Sequence, residues 1–325
     1  GRDAALEVDA TRAMACRKHD QIARDAAAEA RWDVARSSWE QILALAPDYP
    51  EAVAELEKAK QKLAEFDRVM AAARTAGDGG DWQKALTHYR QARAIMPFSV
   101  EAYDGRTLAL KNIPPPPGMV LIEPGEFTLG PGPGRPAAIT TKSDGFYMDA
   151  REVTVNQFSL FVQATNRTGS HFVLCDLPPE EAARLPMVCV SWHDAADYAA
   201  WAGKRLPTAD EWERAARGRS GKPYPWGHAF DPANAVYSYP YGQVGAFRKD
   251  CTDEGCYDMA GNVAEWVADE VREPEHWPPP PASRGILIIE PWRRDTKWRI
   301  ICGESWAGFE SDRAVVPVMG AIASP

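Results

Sequence analysis

The sequence predicts an α+β chain in two parts: an all-α helical repeat over residues 1–112, then a loop-rich mixed domain over 118–325, joined by a proline linker at 113–117. Three observations carry this. Residues 1–112 are rich in Ala, Glu, Lys and Arg and hold few Gly or Pro outside turns. Pro114–Pro117 make a stiff, extended spacer. Beyond it Gly, Trp and Tyr rise and turn signals become frequent, which predicts short strands and capped helices set in much loop.

The helical half repeats itself. Arg31-Trp32-Asp33-Val34-Ala35, followed by Trp39, Leu45 and Pro47, matches Asp81-Trp82-Gln83-Lys84-Ala85, followed by Tyr89, Ile95 and Pro97, 50 positions on. Trp, Ala, an aromatic and an aliphatic residue fall at helical spacing in each copy, and a Pro ends the helix. The pattern resembles the second helix of a tetratricopeptide repeat, in which a small Ala lets helices approach. The usual period there is about 34 residues, so the extra residues need a place. A long helix from Pro50 to Ala76 supplies one, because Val53, Leu56, Lys60, Leu63, Phe66 and Met70 recur at three-to-four spacing, all but Lys60 apolar, and Gly77-Asp78-Gly79-Gly80 then turns the chain. Such repeats either present a groove to a protein partner or simply pack on one another. Trp32, Trp39 and Trp82 read as core.

Bulk properties exclude some functions. A net charge of −9 argues against a broad nucleic-acid footprint. No apolar run approaches the roughly 20 residues of a membrane span, and Gly1-Arg2-Asp3 shows no signal-peptide pattern, so a mature chain or a piece of a longer one is expected. None of the six cysteines forms a CxxC pair, against a zinc knuckle or thioredoxin-like motif. Cys251 and Cys256 can close a small disulfide loop or stay reduced, and the compartment stays open with them.

The C-terminal half carries the motifs. Gly118–Phe127 reads as strand, turn and strand, Gly145–Thr154 as a strand entering a helix with Phe158, Phe161 and Val162 on its apolar face, and Val188-Cys189-Val190 as a short buried strand. Ser191–Asp194 and Thr208–Glu211 are capping-box helix starts. In order follow Gly203-Lys204-Arg205-Leu206-Pro207-Thr208-Ala209-Asp210-Glu211-Trp212-Glu213, Tyr224-Pro225-Trp226-Gly227, and Asp258-Met259-Ala260-Gly261-Asn262-Val263-Ala264-Glu265-Trp266. Together these resemble the formylglycine-generating enzyme family, also called sulfatase-modifying factor domains, well over 118–272 and weakly over 298–313. The resemblance implies an irregular fold of the C-type-lectin kind.

It also implies chemistry. The family binds calcium through the last of these turns, which assigns Asp258 and Glu265 as side-chain ligands and Gly261 and Val263 as carbonyl ligands, a mixture suited to a hard cation that takes six to eight oxygens. Taken alone, the same residues also fit a tight turn whose acids bond only backbone N–H groups. A second family calcium site begins at Asn234, but its later acidic partner is not visible before Val244. The family's enzymes oxidise a substrate cysteine with copper(I) and oxygen, holding the soft ion on two cysteines. Here those positions, counted from Gly303-Glu304-Ser305-Trp306, fall on Gly308 and Arg313, so copper is not expected. Ala264 replaces a Trp, and the family's closing Gly-Phe-Arg is absent before Pro325. The non-heme-iron branch of the family needs clustered histidines. His19, His88, His171, His193, His228 and His276 are scattered, and His171, Cys175 and Asp176 form the best remaining polar group.

Two functions follow as expectations. The first is a non-catalytic binding or scaffold protein, a segment of a bacterial signalling or defence protein. In it the helical module and the C-terminal surface, through Ser305, Trp306, Phe309, Glu310, Asp312 and Arg313, meet a protein partner, while structural calcium holds the domain. The second is a metal-dependent oxidoreductase with a different ligand set, drawing on Cys302 or His171.

Overall fold

The computed structural model describes residues 2–130, 137–167, 179–237, 241–271, 286–289, 298–303 and 323–324. The chain divides into two compact units, Gly1–Pro114 and Pro115–Pro325. No helix among the described residues is long and apolar enough to cross a membrane.

The first unit is helical: α1 (Arg2–Ala28), α2 (Trp32–Leu45), α3 (Pro50–Asp78), α4 (Trp82–Ile95) and α5 (Val100–Asn112). The 50-residue repeat is structural. Ion pairs Arg24–Glu51 and Arg74–Glu101 recur at the same offset. The turn before α2 places Ala30 at φ 54°, and the turn before α4 places Gly80 at φ 78°. The residues beyond a 34-residue period lie in α3, whose first half contributes Ala52, Leu56 and Ala59 to a core with Ala23, Ala26, Ala35, Trp39 and Ile42. Its second half buries Phe66, Met70 and Ala73 and turns into α4. One helix thus closes the first copy and opens the second. Where the copies meet, the Trp32 indole donates to the Ile95 carbonyl at 3.0 Å, satisfying a carbonyl that the end of α4 leaves without a helical partner.

The two copies differ where Tyr89 replaces Trp39. A Cβ on Gly105 of α5 would lie 2.2 Å from Tyr89 Cε1, so only glycine admits that ring.

The second unit is α+β and poor in sheet. Its elements are β1 (Met119–Ile122), β2 (Gly125–Leu129), β3 (Ile139–Ser143), β4 (Phe146–Asp149), α6 (Val155–Thr165), α7 (Pro179–Ala182), α8 (Trp192–Trp201), α9 (Ala209–Arg217), β5 (Glu265–Val271), β6 (Ile286–Ile289), β7 (Trp298–Cys302) and β8 (Ala323–Ser324). The strand orders are β1-β4-β8, β2-β3 and β5-β7-β6, all antiparallel. Alternation along β5 and β7 feeds two cores. Trp266 and Ile301 join the Phe158, Phe161 and Tyr198 cluster, while Val267, Ile300 and Cys302 join the Trp212, Ile122 and Met148 cluster. Helices α6, α8 and α9 begin with reciprocal capping boxes at Thr154/Gln157, Ser191/Asp194 and Thr208/Glu211.

One local expectation resolves differently, and one open alternative is decided. Residues 188–190 are not a strand: Cys189 sits at φ 60°, which breaks an extended run. Cys251 and Cys256 are both free. Cys251 opposes Tyr257 across a β-bridge, and the next pair inward is Thr252 with Cys256. Alternating side chains therefore put the two thiols on opposite faces of this turn.

Replacing Gly105 with alanine is expected to destabilise the helical unit by about 1–3 kcal/mol through overpacking against Tyr89, despite the better helix propensity of alanine. Denaturant unfolding followed by helical circular dichroism measures it, and an unchanged or raised midpoint contradicts it.

Candidate functional site: a buried acid-lined turn

The site is assembled from pieces far apart in sequence. Asp258 (φ 59°) and Asn262 (φ 64°) hold left-handed conformations that asparagine and aspartate tolerate better than most residues, and these bracket Met259-Ala260-Gly261. The turn presses against residues 235–236: a Cβ on Gly261 would lie 2.8 Å from the Val236 carbonyl oxygen and 2.9 Å from Ala235 Cβ. Asn262 N–H donates to that Val236 oxygen at 2.9 Å.

Side chains then fix the turn. The Asn262 amide donates to Glu152 Oε2 at 2.9 Å, and its Oδ1 accepts from Gly242 N–H at 2.8 Å. Asp250 accepts from Ala260 N–H at 3.0 Å, and its carbonyl accepts from Asp258 N–H at 2.8 Å. Asp258 Oδ2 accepts from Gly245 N–H at 2.5 Å. Glu265, at the head of β5, accepts from the Trp212 indole of α9. So Asp258 bonds a backbone N–H and Glu265 an indole.

The electrostatics are unusual. Glu152 and Asp258 are 2% exposed, and Asp250 and Glu265 1%, although ionised carboxylates are almost never fully buried unless paired. Burial raises Glu152 well above the carboxylate range, and the charges of Asp258 and Glu265 raise it further. Burial, then Asp258, pushes Asp250 up to about 7. Burial pushes Asp258 up to about 6, against the Gly245 N–H, Glu152 and Arg151. Like charges gathered out of water favour either protons or a bound cation.

The donor set suits a hard cation. Among the described residues no three His, Cys, Asp or Glu side chains form a group that could hold a metal ion, so a cation here would need backbone carbonyls as well, the mixture calcium accepts. Asn234 lies in a 3-10 turn (Pro232–Asn234) next to Ala235 and Val236, which pack on Gly261. Its side chain is buried, with Oδ1 lacking any hydrogen-bond partner among the described residues. Asp258, Glu265, Gly261 and Val263 would hold one ion, and Asn234 offers an oxygen toward a second.

Sequence reasoning singled out Asp258, Gly261, Val263, Glu265 and Asn234 but missed Glu152 and Asp250. The signal for Glu152 was slight: an acid directly before the Val153-Thr154 helix entry. The predicted binding residues Ser305, Trp306, Phe309, Glu310, Asp312 and Arg313 lie outside the described residues, as do Gly308, His171, Cys175 and Asp176. Cys302 is described; it is fully buried, and burial beside Glu265 raises its thiol well above the usual range, away from the thiolate that soft metals need.

Fold and site together define a loop-dominated α+β domain pinned by buried carboxylates. A model of the sulfatase-modifying factor enzyme 1-like domain matches residues 107–321, and the chain belongs to that family. It is 44% identical over 105 residues to the inactive C-alpha-formylglycine-generating enzyme 2 of Bos taurus, covering 28% of this chain and 35% of that one. It is 32% identical over 232 residues to the formylglycine-generating enzyme of Thermomonospora curvata, covering 51% of this chain and 76% of that one. It is also 34% identical over 179 residues to the serine/threonine-protein kinase Pkn1 of Chlamydia trachomatis, covering 46% of this chain and 28% of the kinase. The chain therefore spans about a third of the kinase and of the inactive enzyme. Its domain is a degenerate member of that family.

Asp250 and Asp258 titrate higher in the folded state than the roughly 3.9 of an unfolded aspartate. Between about pH 4 and 7 the folded protein binds more protons than the unfolded chain, so stability falls as pH rises through that window. With divalent cations chelated, the unfolding temperature is expected to be higher at pH 5 than at pH 8 in calorimetry; the opposite trend would show the acids to be compensated from within the protein.

Proposed function

We propose that this chain is a non-catalytic binding or scaffold protein. Its degenerate sulfatase-modifying-factor domain is tied together by structural calcium, and that domain and the helical repeat module recognise a protein partner. The observation that carries the reading is an intact frame beside a lost reaction centre: capping boxes, the Tyr224–Gly227 turn and the acid-lined turn are all present, while Gly308 and Arg313 stand where two thiols are needed for Cu(I). Folds of this kind keep a frame and vary loops, so binding is the natural residual use. The mixture of aromatic and charged residues at Trp306, Phe309, Glu310, Asp312 and Arg313 suits an interface. The match to a kinase from Chlamydia trachomatis supports a place in a bacterial signalling protein.

Calcium has a structural role in this reading. It offsets the buried carboxylates and fixes the turn, with the side chains of Asp258 and Glu265 and the carbonyls of Gly261 and Val263 as ligands.

Copper(I) or iron(II) titration followed by oxygen consumption decides between this reading and a metal-dependent oxidoreductase. No turnover is expected, and stoichiometric metal binding with turnover would sink the scaffold. Calcium is expected to raise the unfolding temperature by several degrees, reversibly with chelator, and Asp258→Asn with Glu265→Gln to abolish that rise. Melting curves identical in calcium and chelator would remove the ion from the account.

A further inference from the structure

Trp212 stands between the acid-lined turn and the rest of the domain. It is buried in α9, and its indole Nε1 donates to Glu265 Oε2. Gly303, just past β7, lies against the same ring: a Cβ there would sit 3.5 Å from Trp212 Cζ2 and 3.6 Å from the Val263 carbonyl oxygen. Glu265 pairs directly with Cys302 across β5 and β7. Two of the four ligands proposed for calcium, the Glu265 side chain and the Val263 carbonyl, therefore lie against one ring and one glycine.

The ring is firmly held. The start of α9 is closed by the Thr208/Glu211 capping box, and Arg205 grips Glu211 with two hydrogen bonds of 2.7 and 2.6 Å. Ala209 N–H donates to Asp269 Oδ2 at 2.7 Å, fastening α9 to β5 three residues beyond Trp266. An indole N–H is a donor only and carries no charge. It can orient a carboxylate without neutralising it, which an Arg or Lys in the same place would do.

We propose that Trp212 is a positioning residue for the calcium turn. By donating to Oε2 it orients the Glu265 carboxylate, and it would link occupancy of the ion to α9 and to the end of β7. The proposal rests on the calcium reading above. Partners of ligating side chains characteristically set metal affinity, and their loss costs roughly 10–100-fold.

The test is calorimetric titration of the full chain with calcium chloride, comparing the wild type with Trp212→Phe and Trp266→Phe. Trp266 is the control, because it is also buried but points to the opposite face of β5 from Glu265, where its indole donates to the Val190 carbonyl at 3.0 Å. Trp212→Phe is expected to raise the Kd roughly tenfold or more, with Trp266→Phe unchanged. Equal affinity in all three proteins overturns the proposal, as does equal weakening in both variants. A wild type that binds no calcium overturns the calcium reading itself and the proposal with it. If Trp212→Phe does not fold, the indole N–H resonances of the 15N-labelled wild type decide. A buried indole signal that shifts as calcium binds supports the link, and indole signals unchanged while calorimetry reports binding refute it.

Discussion

Taking Glu152, Asp250, Asp258 and Glu265 out of water is the constraint on which the C-terminal unit depends. Buried charge is costly unless it is paired and hydrogen-bonded. The chain supplies hydrogen bonds to these acids by routing distant segments to one turn: Glu152 from before α6, Asn262 from the turn, Gly242 and Gly245 from the preceding loop, and Trp212 from α9. With the described strands grouped in twos and threes, no continuous sheet organises this unit. Polar clamps take over part of that task, and the acid-lined turn brings several distant segments together.

Local rules made much of the fold legible. Capping boxes at Ser191 and Thr208 announced α8 and α9 because both halves of each reciprocal bond lie within four residues. The same pattern at Thr154–Gln157 marks α6 and was open to the same reading. The long helix followed from apolar spacing, and it explains the 50-residue period, since α3 belongs to both copies.

What sequence spacing could not reveal depends on contacts across long separations or on a single torsion. Glu152 meets Asn262 across 110 residues, and nothing beside Glu152 signals that it is buried. Val188-Cys189-Val190 has the composition of a strand, but one left-handed torsion at Cys189 ends the run. The two thiols at 251 and 256 have a spacing that permits a loop, yet the pairing of Cys251 with Tyr257 turns them apart. The candidate calcium residues come instead from the family resemblance, and four of the five lie within eight positions of one motif.

The shared helix α3 has a mechanical meaning. Most tandem repeats meet through a loop, and loops permit each unit to tilt against the next. Here the junction is an uninterrupted α-helix from Pro50 to Asp78, with no Pro or Gly between Glu51 and Ala76 to kink it. A sharp hinge between the copies would have to break backbone hydrogen bonds of α3. Melting the whole of α3 would take a wall from the core of each copy at once, so this one helix couples the two halves of the helical unit.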